Sequence, residues 1–170
     1  MSFIKGYNDI TTDWLNNVVK GNYLELSIGD TFHYNDNDYF IDGKNVTTEG
    51  MNIEKEFAQL LNEKYGIQIT VLPRIEIPER IKTPDYYIND IEKMDLKTIK
   101  GESPRTFKNA MGKQKGKAEI FIFNVINDNI SIEIADERIR KLFYTSDVSF
   151  LRIAILFKNQ SLIKVYERKK

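Results

Sequence analysis

The chain has 170 residues, with 25 Lys and Arg balanced by 25 Asp and Glu, a single histidine and no cysteine. Its 41% hydrophobic and 29% charged residues are the profile of a soluble globular chain and not of a disordered one, and the length suits one domain with a short appendage. The missing cysteines exclude a disulfide framework, the usual structural zinc sites and a thiol nucleophile, and one histidine excludes any mechanism that needs two.

In chain order, Met1-Ser2-Phe3-Ile4-Lys5-Gly6 lacks the apolar core of a signal peptide, and no later run approaches the ~18 apolar residues of a membrane span. A cytoplasmic chain without a membrane partner is therefore expected. A short helix is predicted around Thr12 to Val19, capped by Thr12 or Asp13. Residues 22–47 read as β-hairpins: Phe32 to Tyr34 and Tyr39 to Ile41 flank the polar Asn35-Asp36-Asn37-Asp38, and Asp42-Gly43 is a tight-turn dipeptide. Residues 1–50 hold eight acidic side chains against three basic ones. They form an expected small β-rich segment, with a soft boundary before a domain over 51–170.

Ile53, Phe57, Leu60 and Leu61 give residues 53–65 a helical period that Gly66 stops. Ile67 to Leu72 alternate as a strand, and Pro73, Pro78 and Pro84 mark an extended connection. Two strands, Tyr86 to Ile88 and Lys93 to Ile99, are joined through Asn89-Asp90. A second helix is predicted over 104–116, with Pro104 in its first turn and Phe107, Met111 and Gln114 on one side. Residues 119–126 are a buried strand, 133–144 a third helix, and 149–157 with 161–167 a closing hairpin through Asn159-Gln160. The expected fold class is α/β, a mixed β-sheet flanked by helices.

The chemistry concentrates between Lys82 and Lys117. Asp85 begins one short strand, and Asp95 and Lys97, two apart on the next, project from one face. A hairpin can bring the two carboxylates together, and a shared cation would relieve their repulsion. Magnesium, or another divalent cation, suits such oxygen ligands, and a lysine beside it can orient a water or offset charge on a phosphate. A surface salt-bridge cluster is the alternative. Glu54 falls inside the apolar arc of the 53–65 helix, where an acid costs free energy unless paired or ligated, while Glu56 falls just outside. Glu54 can reach toward the two aspartates, or can simply sit favourably in the first helical turn.

Residues 97–117 carry seven bases, Lys97, Lys100, Arg105, Lys108, Lys113, Lys115 and Lys117, against Glu102 alone. Such a patch can bind a polyanion although the whole chain is neutral, and a solvated helix face remains the other reading. Packed beside the site, Lys113, Lys115 and Lys117 would contact phosphates flanking a cut, and Tyr86, Tyr87, Phe107 and Tyr144 are candidates for base stacking, with core packing the alternative. No glycine-rich phosphate loop occurs.

Pro84-Asp85 followed by Asp95-Leu96-Lys97, behind a helix bearing Glu54-Lys55-Glu56-Phe57-Ala58, matches the Pro-Asp…(Asp/Glu)-x-Lys nuclease signature, PD-(D/E)XK. Adding Pro84-Asp85-Tyr86 and a second helix with Gln114, residues 40–167 resemble the C-terminal tRNase domain of the contact-dependent inhibition protein CdiA. Similar domains end bacterial polymorphic toxins and phage head-morphogenesis fusions. The resemblance implies a metal-dependent endonuclease, with tRNA favoured over DNA. Asp85 and Asp95 would be metal ligands, and Glu54, ahead of Glu56, would complete the metal site as a ligand or orient water. Lys97 would position water or the scissile phosphate. Gln114 would contact phosphate or a ligand carboxylate, and Lys100, Lys108, Lys113 and Lys117 would bind substrate. It also implies delivery into a target cell and an immunity or inhibitor protein as partner. The acidic first 50 residues depart from the toxin pattern. A non-catalytic interaction or structural module of a phage or mobile element that keeps the fold is the other reading.

Overall fold

The structure, a computed structural model, describes residues 6–170. They divide into two units, one of residues 6–17 with Met94–Lys170 and one of Val18–Lys93. The neutral chain is the sum of opposites: the first unit carries 16 basic against 11 acidic residues, the second 8 against 14.

The chain opens with strand β1 (Tyr7–Asp9) and helix α1 (Thr11–Asn17), shorter than the predicted Thr12–Val19 helix. Asp9 Oδ1 accepts from the Thr11 N–H at 3.0 Å and its hydroxyl at 2.6 Å, which fixes the strand-to-helix turn.

The second unit follows. Strand β2 (Tyr23–Glu25) leads to the hairpin of β3 (Thr31–Tyr34) and β4 (Asn37–Phe40), then to β5 (Val46–Thr47). Asn35 and Asp36 make the hairpin turn with φ of 49° and 65°, a left-handed pair that Asn and Asp tolerate. Residue 50 lies inside this unit, between β5 and helix α2 (Asn52–Tyr65). Phe57, Ala58 and Leu61 are the buried stripe of α2, whereas Ile53, expected on it, is exposed. Gly66 ends the helix at φ 69°, its N–H bonded to the Asn62 carbonyl. Strands β6 (Ile69–Val71), β7 (Arg74–Ile75) and β8 (Tyr86–Ile88) complete the unit. β6 runs parallel to β2 and antiparallel to β8, and β7 pairs with β5. Phe32, Tyr34, Ile41, Val46, Leu72 and Ile75 form a core of its own.

Strand β9 (Glu92–Ile99) leads into the rest of the first unit. Helix α3 is only Thr106–Met111, so the predicted helix over 104–116 stops early; Gly112 and Gly116 lower helical propensity there, and Gln114 lies in turns beyond it. Then come β10 (Ile120–Val125), α4 (Ile132–Leu142), a 3-10 turn at Ser146–Val148, β11 (Ile153–Lys158) and β12 (Ser161–Arg168). Within this unit β9, β10 and β11 are parallel neighbours, and β12 and then β1 add antiparallel edges. The result is the expected mixed sheet with helices.

One face of that sheet is an aromatic core. Ile99, Phe121, Phe123, Val125, Ala154, Leu156 and Tyr166 come from the strands, Phe107 and Met111 from α3, and Ala135, Ile139 and Leu142 from α4. Ser131 caps α4, its hydroxyl oxygen accepting from the Ile134 N–H at 3.1 Å. Arg168 spends its guanidinium on three carbonyls, Leu151 at 2.8 Å and Phe143 and Val148 at 3.1 Å each. Asp136 joins α4 to β12: it accepts from the Tyr166 hydroxyl at 2.6 Å and from Lys164 Nζ at 3.0 Å. Burial works to raise the Asp136 pKa, but these bonds and the Lys164 and Arg140 charges leave it below the ordinary range. Burial, reinforced by Asp136, pushes the Tyr166 phenol far up, so the phenol keeps its proton and donates.

Candidate functional site

The candidate site of the first unit starts from strand alternation. Asp95 and Lys97 share a face of β9 with Ile99, in register with Phe121, Phe123 and Val125 of β10. Ile99 and the three β10 residues are core, so the same face carries Asp95 out of solvent, leaving its side chain 1% exposed. A carboxylate there requires positive partners. Lys97 Nζ lies 2.8 Å from its Oδ2 and Lys117 Nζ 3.5 Å from its Oδ1.

Lys117 arrives from the turn between α3 and β10. Its N–H bonds the Gln114 carbonyl at 3.0 Å, and the next residue, Ala118, is anchored in the core. Lys117, an expected substrate contact, pairs here with the buried aspartate. Strand spacing places Lys97 on that aspartate, but no spacing rule links Lys117 to it.

An open cleft of about 550 Å³ is lined by Lys108, Asn109, Gly112, Lys113, Gln114, Asp147 and Val148. Three expected substrate contacts, Lys108, Lys113 and Gln114, thus share one surface. Lys108 pairs with Asp147 at 3.2 Å across exposed surface. The Gln114 side-chain oxygen is buried and receives no hydrogen bond among the described residues. Lys100 is exposed just past β9, where its carbonyl accepts from Asn127 at 2.7 Å. Phe107 is a core residue, and only Tyr144 of the first unit's stacking candidates is exposed.

In the second unit, Glu54 stands in the first turn of α2, half-buried, one turn before the Phe57, Ala58 and Leu61 stripe. Its carboxylate accepts from Arg74 Nη2 at 3.0 Å, and its backbone carbonyl accepts from the Tyr86 hydroxyl at 2.6 Å. The acid inside an apolar arc has therefore found a cationic partner that the helical wheel does not reveal. Glu56 is exposed. Asp85 is half-buried after the buried Pro84, and its carbonyl accepts from the Leu72 N–H at 2.9 Å. Tyr86 is buried and Tyr87 half-buried. Among the described residues, no three Asp, Glu or His side chains gather into a metal cage.

Residues 82–162 match the family model of the contact-dependent growth inhibition CdiA C-terminal domain. The matched stretch contains Asp85, Asp95, Lys97, Gln114 and Lys117 and leaves out Glu54, and over it the resemblance to the CdiA C-terminal family is borne out. No curated protein and no solved structure matches the chain.

Proposed function

From the CdiA C-terminal match we propose that this chain is a toxin-type nuclease that hydrolyses phosphodiester bonds with a divalent cation, magnesium first, and prefers tRNA to DNA. The observation that carries the reading is a carboxylate buried to 1% on a sheet face, with a strand lysine 2.8 Å away, inside the matched stretch. A wholly buried acid with two lysines is a costly arrangement, and such arrangements concentrate where chemistry is done.

The donor chemistry suits magnesium, which takes hard carboxylate oxygens and leaves its other positions to waters and substrate phosphate. Among the described residues no three acids gather, so the side chains alone make no metal cage, and the ion's other positions would fall to waters and substrate phosphate. Asp95 would hold the ion; Glu54, which the motif also assigns to it, is paired with Arg74 at 3.0 Å. When bound, the ion would polarise the phosphate and acidify a water. Lys97, fixed by its strand, would orient that water or neutralise charge growing on the phosphate oxygens. Lys108 and Lys113 would take flanking phosphates at the cleft, and Gln114 would position one of them. Delivery into a target cell and a neutralising immunity protein complete the proposal.

The test incubates the protein with total tRNA and with plasmid DNA, in magnesium or in EDTA. We expect tRNA fragments in magnesium alone, and loss of about a hundredfold or more of that rate in Asp95→Ala and Lys97→Ala. Intact substrates under every condition would overturn the proposal in favour of a non-catalytic module that keeps the fold.

A further inference from the structure

The cleft at the end of α3 contains one group whose bonding is incomplete. Gln114 lies in the turn after the helix, and its backbone is tied on both sides. Its N–H donates to the Met111 carbonyl at 3.2 Å, and its own carbonyl accepts from the Lys117 N–H at 3.0 Å. Met111 is fully buried, so the turn is anchored in the core. The Gln114 side chain is half-buried, and its amide oxygen Oε1 is buried with no hydrogen-bond donor among the described residues. Buried oxygens of this kind are ordinarily bonded, and one that is not gains from any donor brought to it. No such bond holds the oxygen where it lies, and the last torsion of a glutamine is soft, so the amide can turn into the cleft without giving up a bond to that oxygen.

The missing partner has to be a donor. A phosphodiester offers only acceptors, so phosphates on Lys108 and Lys113 leave the Gln114 oxygen as it was. The rest of the lining suits a nucleotide. Val148, 2% exposed, supplies an apolar patch, Asn109 a second carboxamide and Lys113 a cation. The cleft volume of about 550 Å³ lies in the usual range for small-molecule sites. A carboxamide pairs edge-on with adenine: its oxygen takes the amino group and its nitrogen gives to the neighbouring ring nitrogen. We propose that the cleft receives an unpaired base of the substrate, an adenine, whose amino group donates to Gln114 Oε1 while the phosphate of the same nucleotide rests on Lys113. The proposal deepens the nuclease reading and rests on it, and it makes Gln114 a specificity-determining residue that reads a base.

The probes are adenosine 5′-monophosphate, purine riboside 5′-monophosphate, which lacks only the amino group, and ribose 5-phosphate, which lacks the base. Each is titrated in EDTA into the full-length protein and its Gln114→Met and Lys113→Gln variants, with binding followed by 15N NMR. The parent protein should bind the adenosine nucleotide about three- to tenfold tighter than the purine riboside nucleotide, the size of one hydrogen bond to a buried neutral group. Gln114→Met, of similar length but without the amide, should bind those two alike and leave ribose 5-phosphate unchanged. Lys113→Gln should weaken all three probes by a similar factor. Equal binding of the adenosine and purine riboside nucleotides by the parent protein would overturn the proposal. So would a Gln114→Met variant that loses as much affinity for ribose 5-phosphate as for the adenosine nucleotide, because Gln114 would then serve the phosphate.

A measurement on the unaltered protein guards against a variant that does not fold. The side-chain amide signal of Gln114 should move with the adenosine nucleotide and stay in place with ribose 5-phosphate; an amide signal that ignores both at saturation would refute the contact. These titrations involve no cleavage, so intact tRNA in the magnesium assay strikes the nuclease reading, whereas the binding pattern alone decides the base contact.

Discussion

The asymmetry around Asp95 makes its neutralisation less harmful to stability than the loss of its lysine. In Asp95→Asn the shape is kept and the negative charge removed. The two ammonium groups left behind are 15% and 24% exposed and sit on flexible stems, so both can turn to water. The cost is the lost pairing, about 1–2 kcal/mol. In Lys97→Met the stem is replaced by a chain of similar length, so packing is retained. The carboxylate, 1% exposed, then cannot reach water and faces Lys117 at 3.5 Å. Removing one member of a buried pair in this way costs about 3–5 kcal/mol. At a urea slope of about 2 kcal/mol per molar, the midpoint should fall by roughly 1.5–2.5 M for Lys97→Met and by less than about 1 M for Asp95→Asn. The double variant has neither stranded charge, so it should be more stable than Lys97→Met alone by about 1–3 kcal/mol. Urea unfolding in EDTA, followed by circular dichroism with slopes compared, checks all three. A larger loss for Asp95→Asn than for Lys97→Met would refute the reasoning.

Three further outcomes are expected. Ser131→Ala removes the cap of α4 and should cost about 1 kcal/mol in urea unfolding, with Ser131→Asp restoring most of it. Arg168→Ala leaves three carbonyls without their charged donor and should cost about 3 kcal/mol or more, with Arg168→Lys recovering less than half, because an ammonium cannot reproduce the guanidinium fork. Asp42 accepts from the backbone N–H groups of Lys44, Asn45 and Val46, and these hold its pKa below the ordinary 3.8. A lowered folded pKa contributes stability above the ordinary value and loses it as pH falls through the folded one. The wild type should therefore exceed Asp42→Asn in thermal midpoint at neutral pH and converge with it in strong acid.

Much of the fold is written in local chemistry. The turns Asn35-Asp36, Asn89-Asp90 and Asn159-Gln160 all take positive φ, which Asn and Asp accept more readily than most side chains, so the strands around them were legible. The continuous apolar run of β10 and the Gly66 stop of α2 were equally plain. What escaped was set at a distance. β1 and β2 are three residues each, too short for an alternation signal, and they exist because β12 and β6 offer them hydrogen bonds. The helical spacing of Phe107, Met111 and Gln114 runs past Gly112, where α3 ends. At the site, Asp95 and Lys97 were legible from a two-residue spacing, whereas the Lys117–Asp95 and Arg74–Glu54 pairs join separate elements, and only folding makes them neighbours.

The charge balance shows why whole-chain numbers mislead about function. A neutral chain argues against a polyanion partner only if its charges are mixed, and here they are sorted, 16 bases against 11 acids in one unit and 8 against 14 in the other. Salt screens exposed charges beyond about 8–10 Å, so a phosphate answers to the side chains beside it and not to the sum. Beside the cleft those are Lys113 and the Lys108–Asp147 pair, and at the buried carboxylate Lys97 and Lys117. Asp95 explains how two of these cations are kept together. Their mutual repulsion is held down by the acid between them, while burying that acid carries a desolvation penalty.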